Sequence, residues 1–226
     1  MLTRLLCAAT FSSALMIAAD FESGLRALTK GDYATACKEF AALAERGDDV
    51  AQYNLAAMYY RGEGVAQNDK EAAKLFRLSA QQGNAHAQYF LANMLSGGLG
   101  VAVDKPEAVK WYRLAAEQGL PLAELKLSMA YDSGEGVHRD LKEWAKWNQR
   151  AADHGVPFAQ LTQGARYWVG DGVPRDEIQA YKWFTLCIKA DGRCALRRED
   201  VAKRMSPSQI TEAERLAKDW KPTGRD

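Results

Sequence analysis

The stretch YYRGEGVAQND, Tyr59 to Asp69, decides how the chain is read. A Gly-x-Gly loop behind a hydrophobic segment can cradle a phosphate at a helix N-terminus. It can equally be a turn that needs backbone at positive φ. The rest of the sequence separates the two. GEGV at Gly62, GLGV at Gly98, GEGV at Gly134 and GDGV at Gly170 recur every 36 residues. A catalytic phosphate loop is not needed four times in one chain, so the glycines are structural.

Other columns keep the same register. Ala51, Ala87, Ala123 and Ala159 form one, Tyr59, Leu95, Tyr131 and Tyr167 a second, and Leu75, Trp111, Trp147 and Trp183 a third. Gly83, Gly119 and Gly155 close the first three units. The predicted units are 51–86, 87–122, 123–158 and 159–194. In AQYNLAAMYY, Ala51, Leu55, Ala56 and Tyr59 share one helical face. The glycines stop that helix. A second helix is predicted to open on a capping box in each unit: NDKE at Asn68, DKPE at Asp104, DLKE at Asp140 and DEIQ at Asp176. The recurring Asp is thereby a cap rather than a general base or metal ligand.

These residues resemble the Sel-one-like repeat (SLR), a relative of the tetratricopeptide repeat with a longer loop between its helices. The pattern A-x-x-x-L-[GA]-x-x-Y-x-x-G-x-G-V, then [ND]-x-x-x-A-x-x-W-x-x-x-A-A-x-x-G, fits the first three units. The fourth departs at Gln163 and in CIKADG. Residues 20–50 look like a tetratricopeptide unit turning at Gly31-Asp32. The segment 195–226 reads as the C-terminal cap, with Ser206, Pro207 and Gln209 opening a helix that Pro222 ends. The resemblance implies an all-α fold, a right-handed α/α solenoid of helix-loop-helix repeats with a C-terminal capping helix.

Charge excludes some partners. The chain of 226 residues carries 30 Lys and Arg against 29 Asp and Glu. That balance gives no reason to invoke nucleic acid or an anionic membrane. The first nineteen residues, MLTRLLCAATFSSALMIAA, have the layout of a secretory signal peptide, with Arg4 ahead of an apolar run too short to span a bilayer. Cleavage near Ala19 is expected, with periplasmic or secreted placement and no membrane insertion afterwards.

No enzymatic motif or cofactor site is legible. His86, His138 and His154 fall at different repeat phases, and no metal site is expected. A cysteine-rich branch of SLR proteins is linked to β-lactam binding and hydrolysis, so the resemblance admits that alternative. This sequence has no S-x-x-K, S-D-N or K-T-G and lacks that branch's paired cysteines in each repeat. Cys187 and Cys194 flank the turn IKADGR, where a disulfide would pin two adjacent helices in an oxidising compartment. Their spacing does not settle whether they pair. Cys37 reads as a buried small hydrophobe.

The expected work is non-catalytic: a scaffold or regulator that binds a protein or peptide. By similarity to tetratricopeptide solenoids, the side of each first helix opposite Leu55 lines a concave surface. Its candidates are Tyr53, Tyr60, Tyr89, Asn93, Met129, Asp132 and Trp168. Within these, the column Tyr53, Tyr89, Leu125 and Leu161 reads first as packing against the adjacent repeat, and Tyr60 and Trp168 as exposed.

Overall fold

The computed structural model describes residues 21–224, and every described element is helical. The proposed signal peptide lies outside the described residues. A short helix over 21–29 (α1) is followed by α2 (Tyr33–Glu45), α3 (Asp49–Arg61), α4 (Asp69–Gln81), α5 (Ala85–Gly97), α6 (Lys105–Glu117) and α7 (Pro121–Ser133). Then come α8 (Leu141–Asp153), α9 (Pro157–Val169), α10 (Glu177–Cys187), α11 (Arg193–Ala202) and α12 (Pro207–Asp219). Neighbours in sequence pack on each other: α2 on α3, α3 on α4, α4 on α5, α7 on α8, α8 on α9 and α9 on α10. This is an all-α solenoid. It divides into two compact units, one up to Trp111 and one from Tyr112, with the division inside α6.

The two loop glycines have different roles. Gly62, Gly98, Gly134 and Gly170 sit at φ between 71° and 84° as C-caps of α3, α5, α7 and α9. Gly100, two residues beyond its cap, is at φ 68°, and any Cβ there would collide with the backbone of Asp69 at the start of α4. One glycine therefore stops a helix. The other lets the loop lie on the N-terminus of the preceding unit's second helix.

The capping boxes are only half formed. Asn68, Asp104, Asp140 and Asp176 each accept from the backbone N–H three residues on. Their own N–H groups, which a complete box would give to Glu or Gln, instead reach back across the loop to Tyr59, Leu95, Tyr131 and Tyr167 carbonyls at 2.9–3.0 Å. The long loop competes for the donor and wins it. The freed glutamates turn to tryptophan: Trp111 and Trp147 donate Nε1–H to Glu107 and Glu143 at 3.1 and 2.9 Å. Among the described residues, only Ser206 and Gln209, behind a short turn, make the full box.

A buried polar column runs through the repeats and was not singled out from sequence. Gln52, Gln88 and Gln160 are each about 96–97% buried and donate to the carbonyls of Ala44, Ala80 and Ala152. Each ties a first helix to the end of the preceding second helix. Recurrence at 36 residues was the signal that could have found it.

Candidate functional site

The sequence candidates fall into both units, and each set is described in its own. In the first unit, Tyr53, Tyr60 and Tyr89 gather around Phe90 of α5 at centroid distances of 6.0, 6.3 and 5.5 Å. Phe90 stacks on Phe76 of α4 at 5.2 Å with the rings only 9° apart. Tyr53 also touches Phe76 and His86, and burial pushes its hydroxyl pKa up. Asn93 donates to the Tyr89 carbonyl at 3.0 Å. Tyr53 therefore packs, as expected of its column. Tyr60 is half-buried rather than exposed, because Phe90 offers it an edge-on ring face.

In the second unit, Met129 and Asp132 line one groove. A cavity of ≈ 320 Å³ opens between α7 and α9 over α8. Leu125, Met129, Trp144 and Phe158 form its apolar walls, and Ser128, Asp132, Ser133, Asn148 and Thr162 its polar lining. Met129 and Phe158 are 43% and 40% exposed. Large apolar side chains left open beside a concavity are the usual mark of a binding surface.

The groove is held rigid by polar chemistry beneath it. Asn148, 1% exposed, donates to the Ala159 carbonyl at 3.2 Å and to Gln163 Oε1 at 2.8 Å. Thr162 donates its hydroxyl to Asn148 Oδ1 at 2.8 Å, and Gln163 donates onward to Gln149 at 2.8 Å. At the rim, Arg166 lays its guanidinium 4.0 Å from the centre of the Trp144 ring and pairs with Asp132 at 2.7 Å and with Asp171. Cation–π stacking and a carboxylate fork together fix Asp132 and Trp144 in place. Gln163, noticed in the sequence as a departure from the repeat, belongs to this network.

Trp168 is not exposed, contrary to expectation. It is half-buried and stands edge-on to Phe184 at 6.5 Å, with Arg197 of α11 5.9 Å from its ring. It packs on the core formed by Ala180, Tyr181, Phe184, Cys187, Cys194, Val201 and Ala213. Phe184 of α10 and Arg197 of α11 supply those neighbours, which a reading of α9 alone could not see.

Cys187 and Cys194 are joined as a disulfide inside the same core, with Cα atoms 6.0 Å apart and no exposure. Cys37 is free and half-buried, and burial raises its thiol pKa. Among the described residues, no group of His, Cys, Asp and Glu could hold a metal ion, and no helix is long and apolar enough to cross a membrane.

Comparison with known proteins bears on the fold and the family. A family model described as "Sel1 repeat" matches residues 49–84, 85–120, 121–156 and 164–189. The chain is similar to the crystal structure of a Sel1 repeat protein from Oxalobacter formigenes, with 28% identity and a TM-score of 0.77 over 89% of this chain and 85% of that one. It shares the fold of a putative Sel1 repeat protein from Klebsiella pneumoniae at 18% identity and TM-score 0.51, covering 82% and 93%. The immunity protein Pa5087 from Pseudomonas aeruginosa shares it at 17% identity and TM-score 0.50, covering 90% and 83%. No curated protein sequence matches the chain significantly.

Proposed function

The chain belongs to the Sel1 repeat family, and from that premise we propose that it is an exported, non-catalytic scaffold or regulator of the bacterial periplasm. Sel1 repeat proteins work by binding other proteins, and here the first helices of the repeats carry the binding surface. The observation that carries this reading is the groove of α7–α9, where Met129 and Phe158 remain open above a fully bonded polar floor. An open apolar wall over a rigid base suits the docking of an extended or helical peptide, because little conformational freedom is lost on the protein's side. The apolar leader before Asp20 and the bonded Cys187–Cys194 pair both suit an oxidising compartment outside the cytoplasm.

The test is comparative capture from envelope extract, with the parent protein and a Met129→Ala/Phe158→Ala variant side by side. A partner retained by the parent and lost by the variant is the expected result. Equal retention by both removes the groove from the binding surface. N-terminal sequencing of the mature protein should start near Asp20, and intact Met1 on protein in the cytoplasm would end the periplasmic assignment.

A further inference from the structure

The repeat register says what shape the α7–α9 groove lacks. Phe90 of α5, stacked on Phe76 and flanked by Tyr53 and Tyr60, fills the corresponding place in the first unit. Two repeats further along the chain, 72 residues on, Thr162 stands for Phe90, Asn148 for Phe76, Asp132 for Tyr60 and Leu125 for Tyr53. Thr162 is small, and its hydroxyl is committed to Asn148. The ring that Phe90 contributes in the first unit has no counterpart here, and the groove of ≈ 320 Å³ opens at that place.

We propose that this groove receives a tyrosine side chain of a protein partner, its ring lying over Thr162 and Asn148 between Met129 and Phe158, its phenolic O–H donating to Asp132. This rests on the protein-binding reading above and adds the chemical class of the anchor. Charge complementarity selects the donor. Asp132 is the only charged residue lining the groove, its side chain is 40% exposed, and Arg166 and Arg139 engage its Oδ1 at 2.7 and 3.9 Å, so Oδ2 is the oxygen that would accept. The lining hydroxyls already donate inward, Ser128 to the Leu125 carbonyl, Ser133 to that of Met129 and Thr162 to Asn148. Both Asn148 amide hydrogens are spent on Ala159 and Gln163. The groove's hydroxyls and its Asn148 amide therefore offer no spare donor, and Asp132 is its charged acceptor. A phenol matches that acceptor, since a hydroxyl given to a carboxylate makes a charge-assisted bond. A phosphorylated ring would present only further acceptors to a carboxylate.

The experiment is an NMR titration of the purified protein, read at the Met129 and Thr162 methyl groups, with p-cresol, toluene and p-tolyl phosphate as probes. Saturable shifts with p-cresol are expected, at about fivefold lower Kd than toluene, the effect of one net hydrogen bond, and none with p-tolyl phosphate. Thr162→Phe, which restores the ring of the first unit, should keep the helical circular-dichroism signal and weaken p-cresol at least about tenfold, as a filled site must. Asp132→Asn should remove most of the preference of p-cresol over toluene. Should Thr162→Phe lose its fold, Phe158→Ala at an exposed position carries the same expected loss of binding. Absence of saturable shifts, or p-cresol binding indifferent to these variants, would overturn the proposal. Peptides selected on the protein from a random display library separate the two levels of the reading. Tyrosine-bearing binders lost in Thr162→Phe support the anchor. Binders that ignore the substitution overturn the anchor and leave protein binding standing, and the absence of any binder overturns both.

Discussion

The carboxylate of Glu124, with no exposure to solvent, meets Nδ1 of His154 at 2.7 Å in the column that other repeats fill with glutamine. A glutamate cannot donate to the Ala116 carbonyl as Gln52, Gln88 and Gln160 donate to theirs. Arg150 supplies the missing donor, with Nη2 3.3 Å from Ala116 O and Nε 2.8 Å from Glu124 Oε1, an ion pair without hydrogen-bond alignment at that oxygen. Burial pushes the Glu124 carboxyl above its usual 4.5, against the opposing pull of His154 and Arg150.

That shift fixes a pH dependence. An acid whose pKa is raised by folding binds its proton more readily in the folded protein than in the unfolded chain. Its stabilising contribution is complete below 4.5 and is lost as pH rises through the raised value. Glu124→Gln restores the repeat's glutamine and removes this term. It should melt close to the parent in acid and be more stable near neutrality by up to about 1 kcal/mol, as neutral replacements of buried ion pairs often are. Thermal melts across that range decide it, and a variant that gains stability only in acid would contradict the assignment.

Trp183 is the one tryptophan of its column without a partner for Nε1, although it is 2% exposed. Trp111 and Trp147 use the glutamate four residues before them, whereas Trp183 has Gln179 there. Gln179→Glu should raise stability by about 1 kcal/mol by satisfying a buried donor. A denaturant melt with no gain, or a loss, would show that the ring cannot reach the new carboxylate.

Trp147 and Trp168 should differ in degree. Trp147 is 3% exposed in the repeat's own column, and Trp147→Ala should cost about 3–5 kcal/mol through the cavity left. Trp168 is half-buried against Phe184 and under Arg197, so Trp168→Ala should cost about 1–3 kcal/mol, well above a surface change. A Trp168→Ala variant within about 0.5 kcal/mol of the parent would return that side chain to the exposed class.

Gly134→Val should destabilise by about 1–3 kcal/mol, because φ is 77° there and a β-branched side chain is strained at that backbone geometry. Read as a structural turn, the same loop gives ATP nothing to bind, and ATP should leave the parent's melting temperature unchanged. A rise with ATP would reopen the phosphate-loop reading of the glycines.

The disulfide closes a loop of seven residues' separation between α10 and α11. Replacing both cysteines by alanine should cost about 2–3 kcal/mol, the chain-entropy value for so short a loop. The loss should fall on α10–α12, whose core contains both sulfurs, and hydrogen exchange resolved by segment would show it there. Loosening confined to the first unit would refute that placement.

Much of this molecule was legible as spacing. A 36-residue recurrence of glycine, tyrosine, alanine and tryptophan specifies helices of fixed length and turns at fixed places, because those depend on neighbours within a few residues. Local chemistry also gives the caps Asn68, Asp104, Asp140 and Asp176. It does not say which acceptor each cap's own N–H will take. That choice went to a carbonyl across the loop, where the fold brings Tyr59, Leu95, Tyr131 and Tyr167 within 2.9–3.0 Å of the cap N–H groups. Met129 and Asp132 were visible as face positions, whereas the groove between them required knowing that Thr162 leaves empty what Phe90 fills. Trp168 looked exposed until Phe184 of α10 and Arg197 of α11 were seen to cover it. Spacing along one helix determines which side chains share a face; which of those faces stays open is settled by the size of the residues packed opposite, and only the tertiary structure brings them there.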